Sequence, residues 1–338
     1  MLLFRVFSIP VRFFIALLIY FSWGPLAGGV VTAPVPEFSS PALIPYPSKV
    51  VRGAGEAGFR SVHVKVGPDV PGRDDLMKEI KDIFRTSGIQ GSLNSGGAAE
   101  GAMTWELFPD ARMKGEGYDL SVGLGKATVR AGSFGGFFNA LQTLRQLVFN
   151  REGEFAMPVV RISDKPAFVL RGIMLDVGRY YMSPALIKEM MRRLSRYKIN
   201  TLHLHLTDDP AWRLEVKKYP ALTDGAFHWK SRLPGRFYTQ AQLKDLTDYC
   251  ARLNIQVIPE IDMPGHSQPF SRAMKTGMQT EKGVSILKDV VDEAVSLFPG
   301  RFFHMGSDEA HISMKDFIPR MAEHIRGKGK EVVVWSPG

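Results

Sequence analysis

The sequence contains very little cysteine, since Cys250 is the one cysteine among 338 residues. A single thiol excludes an intramolecular disulfide and any zinc centre built from several cysteines. Because Cys250 lies on the apolar stripe of a predicted helix, we expect it to pack in the core. Long apolar runs are also lacking: the strongest covers residues 13–23, and these 11 residues fall short of the roughly 20 that a membrane-spanning helix needs.

A large excess of one charge is lacking as well, since the net charge of +9 is modest for this length. The chain has 43 Lys and Arg against 34 Asp and Glu, and no block of basic residues alternates with aromatic ones. We therefore do not expect a nucleic-acid partner. Charged residues make up only 23% of the chain, with 33 Gly and 22 Pro spread through it, which is typical of a loop-rich α/β enzyme.

Residues 1–33 have the pattern of a secretory signal peptide. Arg5 and Arg12 precede the apolar run, and small residues such as Ala33 follow it. We therefore expect a secreted or periplasmic protein that contacts a membrane only if this segment stays uncleaved. Residues 34–41 belong to a proline-rich stretch and predict a linker.

Residues 42–165 mix strand-like and helix-like patterns. The predicted elements are, in order, a strand at Ser61–Val66, a helix at Asp74–Arg85, strands near Tyr118–Val122 and Ala127–Arg130, and a helix at Ser133–Phe149. Apolar residues recur every three to four positions in the last helix, which indicates one buried face. Because we find no cluster of charged residues here, we interpret the segment as a structural α+β domain.

Residues 166–338 change to a regular alternation of short apolar strands and amphipathic helices. Five strands are predicted, at Gly172–Val177, Thr201–Leu206, Gln256–Ile261, Phe302–Met305 and Glu331–Trp335. Strand–helix alternation implies a parallel sheet. Two helix starts are well marked: Ser183 precedes Pro184 at the first helical position, and Thr239 forms a capping box with Gln242.

Polar residues follow or end most of these strands. They are Asp176, Arg179, Asp208, Asp209, Glu260, Asp262, His266, Asp308 and Glu309. This placement is typical of the carboxyl-terminal rim of a (β/α)8 barrel, where such enzymes carry their chemistry. We therefore predict an α/β fold with a (β/α)8 TIM-type barrel, of which about five strands are present, preceded by a small α+β domain.

Asp308 and Glu309 are adjacent carboxylates that follow the fourth strand. Neighbouring residues of a regular strand point to opposite faces, so both can serve one site only if the backbone turns, which Gly306 permits. Two close carboxylates also push their proton affinities apart, so that one holds a proton while the other stays ionised. Taken alone, the dipeptide favours a solvated pair at a helix start, and the other polar residues of the rim reverse that preference.

A metal centre is an alternative interpretation of the rim. The residues with suitable side chains are His203, His205, Asp208, Asp209, Glu260, Asp262 and His266. His203 and His205 share a strand face that points into the barrel, where a packed polar core explains them as well as a ligand pair does. Because the spacing fits a metal site poorly, we predict no metal and no cofactor.

Four motifs occur in order along the barrel half. They are Arg171–Arg179 (RGIMLDVGR), His203–Arg213 (HLHLTDDPAWR), Val257–His266 (VIPEIDMPGH) and Phe303–Glu309 (FHMGSDE). Together they resemble the family 20 glycoside hydrolases, the β-N-acetylhexosaminidases. Glu116–Leu120 and Gly135–Leu147 are similar to the α+β domain that precedes the barrel in that family, so the resemblance extends from about residue 42 to the end.

The resemblance implies roles for the carboxylates. Glu309 would be the general acid, which protonates the glycosidic oxygen and later activates water. Asp308 would orient the substrate's own 2-acetamido group, because family 20 is a known substrate-assisted exception to the two-carboxylate scheme of glycosidases. Asp262 and Asp209 are assigned supporting roles.

The resemblance also implies a binding site for one amino sugar. Arg179 would bind ring hydroxyls, Asp208 and His266 would form a polar relay behind the acid, and Trp335 would line the acetamido pocket. The expected partner is an oligosaccharide or glycoconjugate with a terminal N-acetylhexosamine. The alternative is a non-catalytic or vestigial amino-sugar-binding protein.

The sequence departs from the family pattern at three places. Ser307 replaces the second Gly usual before the acid pair, and Leu204 replaces a common Trp. Gly338 falls directly after the fifth strand, whereas the family barrel has eight strands, of which the last three supply a Tyr and further sugar-binding residues. We therefore expect a fragment or a truncated gene product. Its activity is in doubt because the last three strands are missing.

Overall fold

The structure is a computed structural model that describes residues 42–94, 98–151 and 153–335. The signal peptide expected over 1–33 and the linker expected over 34–41 lie outside the described residues, so both stay predictions. Within the described ranges, no helix combines the length and the apolar character needed to cross a membrane.

The first half of the chain forms a mixed sheet of eight strands with two helices. The elements are β1 (Lys49–Phe59), β2 (Ser61–Val66), α1 (Arg73–Ser87), β3 (Gln90–Leu93), β4 (Ala102–Pro109), β5 (Tyr118–Gly123), β6 (Lys126–Ala131), α2 (Phe134–Leu147), β7 (Phe149–Arg151) and β8 (Glu154–Asp164). The sheet order is β1-β8-β5-β6-β4-β2-β3, with β7 beside β8. The pairs β3–β2, β2–β4 and β4–β6 are parallel and the others are antiparallel, which is typical of an α+β sheet.

The second half forms a five-stranded parallel sheet. Its elements are β9 (Gly172–Asp176), α3 (Pro184–Ser195), β10 (Thr201–His205), β11 (Thr207–Asp208), β12 (Ala211–Trp212), α4 (Gln240–Ala251), β13 (Gln256–Glu260), α5 (Gln268–Met274), α6 (Glu281–Leu297), β14 (Phe302–His304), α7 (Phe317–Gly327) and β15 (Glu331–Val333). The sheet order is β9-β10-β13-β14-β15, and β11 and β12 form a small separate hairpin. The five predicted barrel strands are therefore confirmed, and the α/β class with them.

The predicted helix starts and the buried cysteine are also confirmed. Ser183 accepts a hydrogen bond from the N–H of Leu186, and Thr239 and Gln242 form the complete capping box. Cys250 lies in α4 with 0% of its surface exposed, and burial raises the pKa of its thiol to about 12. Its role is packing, because a thiol held neutral is a poor nucleophile.

Ion pairs join the two sheets at a largely buried interface. Glu79 and Asp82 of α1 contact Arg145 of α2 and Arg192 of α3. Glu79 is the most deeply placed, with 3% of its side chain exposed. Burial alone would raise the pKa of Asp82, but Arg145, Arg85 and Arg192 outweigh it and hold that pKa well below its usual range.

Two further polar clusters cross the same interface. Lys198, which precedes β10, donates hydrogen bonds to the hydroxyl of Tyr118 and the carboxylate of Asp164, both at 2.9 Å. Glu116 accepts hydrogen bonds from the amides of Asn200 and Asn254 at 3.1 and 2.8 Å. The first half of the chain supplies the acid in each cluster, so these contacts hold the parallel sheet, which carries the rim residues, against that half.

Candidate active site

The backbone turns sharply after β14, where the acid pair lies. Gly306 has φ +67°, and Ser307 and Glu309 have φ +82° and +50°. Such left-handed conformations are unfavourable for side-chain-bearing residues and need support from the surroundings. The loop after β13 gives that support, because Asp262 Oδ1 accepts the N–H of Ser307 at 3.2 Å and the Ser307 hydroxyl donates to the carbonyl of Met263 at 3.0 Å. The turn expected at Gly306 is confirmed.

Substitution of Gly306 by Ala is expected to disrupt this turn. A Cβ at this position would overlap the carboxylate of Asp262, in addition to the cost of the positive φ. Gly125→Ala is the matched control, because Gly125 has φ +74° and open space around the added Cβ. Urea unfolding should show a loss of about 1 kcal/mol for Gly125→Ala and a larger loss for Gly306→Ala. Equal losses would mean that the overlap with Asp262 has no effect.

Asp308 and Glu309 have different surroundings. The side chain of Glu309 is 75% exposed at the rim. Asp308 is partly buried, and its Oδ1 is covered yet has no hydrogen-bond partner among the described residues. A buried acceptor without a donor is costly, so Asp308 is ready to accept a hydrogen bond from a bound molecule.

His266 lies between Asp208 and Glu309, in the order expected of a relay. Its Nε2 is 3.4 Å from Glu309 Oε2, and its Nδ1 is 3.6 Å from Asp208 Oδ1. Asp208 is 1% exposed. Burial raises its pKa, but the contacts with His205 and Arg179 outweigh burial, and the pKa lies below its usual value. Asp208 therefore stays ionised behind His266. The distance between the two side chains fits an ionic contact and is too long for a hydrogen bond.

Arg179 is held at the rim by two carboxylates. Its Nη1 donates to Asp176 Oδ2 at 2.7 Å, and its Nη2 lies 2.8 Å from Asp208 Oδ2. Its side chain is still 43% exposed, so the guanidinium is oriented without being covered. A guanidinium has more N–H donors than these two contacts use, and the rest are available to hydroxyl groups.

The two residues assigned to support hold loops together. Asp209 accepts the N–H of Gln268, the first residue of α5, at 3.2 Å. Asp262 is 1% exposed, and its N–H donates to the hydroxyl of Thr207 at 3.0 Å. Burial and then the nearby charge of Glu260 raise the pKa of Asp262 to about 7.

Trp335 packs against histidine side chains of strands β10 and β14 and does not stand free at the rim. Its ring centroid lies 4.6 Å from that of His304 and 5.5 Å from that of His203. Its indole N–H donates to Glu260 Oε1 at 2.8 Å, and its backbone N–H donates to the carbonyl of Gly306 at 3.0 Å. Trp335 is thus tied to the turn that carries the acid pair.

In the sequence analysis Glu260 is only a rim and metal candidate and His304 is not singled out, yet the two lie at the centre of a buried polar cluster. Glu260 is 0% exposed, and three histidines approach it from strands on both sides: His203, His205 and His304. Burial favours the neutral acid, but these histidines outweigh it and hold the pKa of Glu260 far below its usual range. The sequence hint is that His203 and His205 share one strand face at a period of two.

The same cluster bears on the metal alternative. His203, Glu260 and His304 form one of several groups whose ligand atoms lie within 4.8 Å of one another. Histidine and carboxylate oxygen are suitable zinc ligands. Each of these three residues also contacts another member of the cluster, so mutual ion pairing accounts for the arrangement as well.

Comparison with known proteins gives two successive family matches. Residues 40–165 match glycosyl hydrolase family 20, domain 2, and residues 168–285 match glycosyl hydrolase family 20, catalytic domain. The second match covers Arg179, Asp208 and His266 and ends before Asp308.

Individual relatives agree with these matches. A β-hexosaminidase of Porphyromonas gingivalis is 37% identical over 231 residues, which is 58% of this chain and 29% of the relative. A β-N-acetylhexosaminidase of Cellulomonas fimi is 32% identical over 266 residues, 71% of this chain and 54% of the relative. The chain thus spans at most about half the length of these curated relatives.

A solved structure extends the likeness to the fold. A mutant β-hexosaminidase of Streptomyces plicatus in complex with GlcNAc superposes with a TM-score of 0.76 at 30% identity, over 87% of this chain and 65% of that one. Both halves of the chain therefore match models of one family. The chain belongs to glycosyl hydrolase family 20.

Proposed function

We propose that this chain carries the acid pair of an exo-β-N-acetylhexosaminidase, which hydrolyses terminal β-linked GlcNAc or GalNAc by a substrate-assisted retaining mechanism. One observation carries the proposal: Asp308 and Glu309 follow one turn, and the first has an unpartnered oxygen while the second is exposed. An acid that protonates the leaving oxygen must reach outward, whereas a group that orients the acetamide needs a fixed, free acceptor. The two environments match those two tasks.

In the proposed reaction, Asp308 accepts the N–H of the substrate's acetamido group and turns its carbonyl oxygen toward the anomeric carbon. Glu309 gives its proton to the glycosidic oxygen as that bond breaks. The acetamido oxygen then holds the anomeric carbon until water, deprotonated by Glu309, releases the sugar with its configuration retained. No protein nucleophile is required, which explains how two sequence neighbours can serve one site.

The neighbouring residues complete a site for one terminal sugar. Arg179 donates to ring hydroxyls, and Trp335 lines the acetamido pocket. Asp208 and His266 act behind Glu309, while Asp209 and Asp262 hold the loops that carry them. The substrate class follows the relatives, among which the Streptomyces plicatus enzyme is seen with GlcNAc. We further propose secretion or a periplasmic location, which rests on the pattern of residues 1–33 alone, and glycan or chitin degradation as the setting.

The test is a pair of chromogenic substrates, 4-nitrophenyl N-acetyl-β-D-glucosaminide and the matching β-D-glucoside. Substrate assistance predicts release of nitrophenol from the first and a rate at least about a hundredfold lower for the second, because the glucoside lacks the attacking group. Similar rates on both would contradict the mechanism. GlcNAc binding without turnover of either would support the amino-sugar-binding alternative, and activity lost on chelation would support a metal hydrolase.

A further inference from the structure

Glu260 ends strand β13 in the most buried position of the site. The parallel register places it in one row with Asp176, His205 and His304, each the last residue of its strand. A buried carboxylate is unfavourable unless charged or hydrogen-bonding partners surround it. The contacts of its two oxygens therefore indicate what Glu260 holds in place.

The Oε1 oxygen fixes the indole of Trp335. It accepts the indole N–H at 2.8 Å and lies 3.2 Å from His304 Nδ1. His304 Nδ1 in turn accepts the N–H of Gly306 at 3.0 Å. A nitrogen that accepts this bond carries no proton for Oε1, so the link from Glu260 to the turn runs through Trp335, whose backbone N–H donates to the carbonyl of Gly306.

The Oε2 oxygen faces His203 and His205. It lies 2.7 Å from His203 Nε2 and 2.9 Å from His205 Nδ1, as ionic contacts without hydrogen-bond alignment. The other nitrogen of His205, Nε2, is 3.0 Å from Asp208 Oδ2. A ring with a carboxylate at each nitrogen is favoured as the imidazolium, because only that form has two N–H groups. The charges therefore alternate from Glu260 through His205 and Asp208 to Arg179.

We infer that Glu260 is a positioning residue that fixes two parts of the site together: the indole of Trp335, and the His205–Asp208–Arg179 chain of alternating charges. It acts through these partners, since it is fully buried and none of its contacts is with Asp308 or Glu309 among the described residues. The part of the inference that concerns turnover rests on the proposed function. The part that concerns the charge of His205 stands on the arrangement of this chain alone.

The groups that face His205 come from several elements. They are Asp176 of β9, His203 of β10, Asp208 of β11, Glu260 of β13, Asp262 after β13 and His304 of β14. Burial would lower the pKa of His205, but Asp208 and Glu260 outweigh it and raise that pKa to about 10. Loss of one of these two charges should therefore release the proton at lower pH.

Three variants separate the effect of Glu260 on the indole of Trp335 from its effect on the charge of His205. Glu260→Gln removes the charge but keeps an oxygen for the indole of Trp335, and Trp335→Phe removes the indole N–H but keeps an aromatic ring. Glu293→Gln is the matched control, because Glu293 is a partly buried glutamate of the same half whose hydrogen bonds go to residues 217, 218 and 240, away from the site. Thermal unfolding of each variant confirms that it is folded.

The first measurement is NMR titration of the His205 ring, assigned by the signal that His205→Asn removes. Wild type and Glu293→Gln should titrate near pH 10, and Glu260→Gln should titrate lower by about one pH unit or more. A His205 that titrates in wild type at the ordinary imidazole value, or at the same pH in wild type and Glu260→Gln, would overturn the inference.

The second measurement is hydrolysis of 4-nitrophenyl N-acetyl-β-D-glucosaminide against pH. Glu260→Gln should lower kcat by roughly tenfold or more, most at alkaline pH, with KM changed less than about threefold, and Trp335→Phe should mainly raise KM. An unchanged kcat and pH profile in Glu260→Gln would overturn the inference. Wild type without turnover or GlcNAc binding would overturn the proposed function instead, while the expected titration shift would still support the role of Glu260.

Discussion

Replacement of Glu309 by Gln is expected to lower hydrolysis of a chromogenic N-acetyl-β-glucosaminide by about 10²–10⁴-fold, the range of general acid–base catalysis. Glutamine has nearly the same shape but cannot give a proton to the leaving oxygen or take one from water. GlcNAc binding should change little, because the side chain of Glu309 is 75% exposed and the loss is confined to the chemical step.

The measurement compares kcat of wild type, Glu309→Gln and Glu323→Gln, with GlcNAc affinity determined for all three. Glu323 is an exposed glutamate of α7 and controls for the loss of one negative charge. A substrate with an acidic leaving group, such as 4-nitrophenol, needs less help from the acid, so a poorer leaving group should show the larger defect. Full activity of Glu309→Gln would remove Glu309 from the role of acid.

Replacement of Glu79 by Gln is expected to lower the free energy of unfolding by about 3–5 kcal/mol, as is typical when one partner of a buried ion pair is removed. The side chain of Glu79 is 3% exposed, and Arg145 and Arg192 both contact it. Without that charge, two largely buried guanidinium groups share Asp82 alone. The effect lies at the interface between the two sheets and not in the rim.

Urea unfolding measures this loss against Glu189→Gln. Glu189 also pairs with an arginine, Arg193, but their side chains are 57% and 73% exposed, so its loss should be within about 1 kcal/mol. An equal effect of the two substitutions would show that burial does not set the strength of the Glu79 cluster.

The barrel strands could be predicted from the sequence because strands of a parallel sheet are covered on both faces. Thr201–His205 and Gln256–Glu260 read as short apolar runs between clear helix starts and stops. Strand β1 could not be predicted in the same way. Its sequence, KVVRGAGEAGF, is mostly exposed and rich in glycine, and it is a strand because it pairs with β8, about 100 residues later.

The site residues also differ in whether neighbouring or distant parts of the sequence determine them. The acid pair and its turn follow from neighbouring residues, since Gly306, Asp308 and Glu309 are close in sequence. The role of Glu260 does not, because its partners lie on strands β10 and β14 and at Trp335 after β15, and strand register brings them together. The placement of Trp335 against His203 and His304 depends on the same register. Domain limits and the roles of the site residues stay predictions.

The order of strands in the parallel sheet has a consequence for synthesis of the chain. In this sheet β10, β13, β14 and β15 each pair with the sheet strand that was made before them, so the sheet can grow one strand at a time during synthesis. Trp335, which follows the last of these strands, donates to both Gly306 and Glu260. The turn that presents the acid pair therefore gains the hydrogen bond from the Trp335 backbone only after residue 335 has been synthesised, so the nascent chain lacks this support for the turn until then.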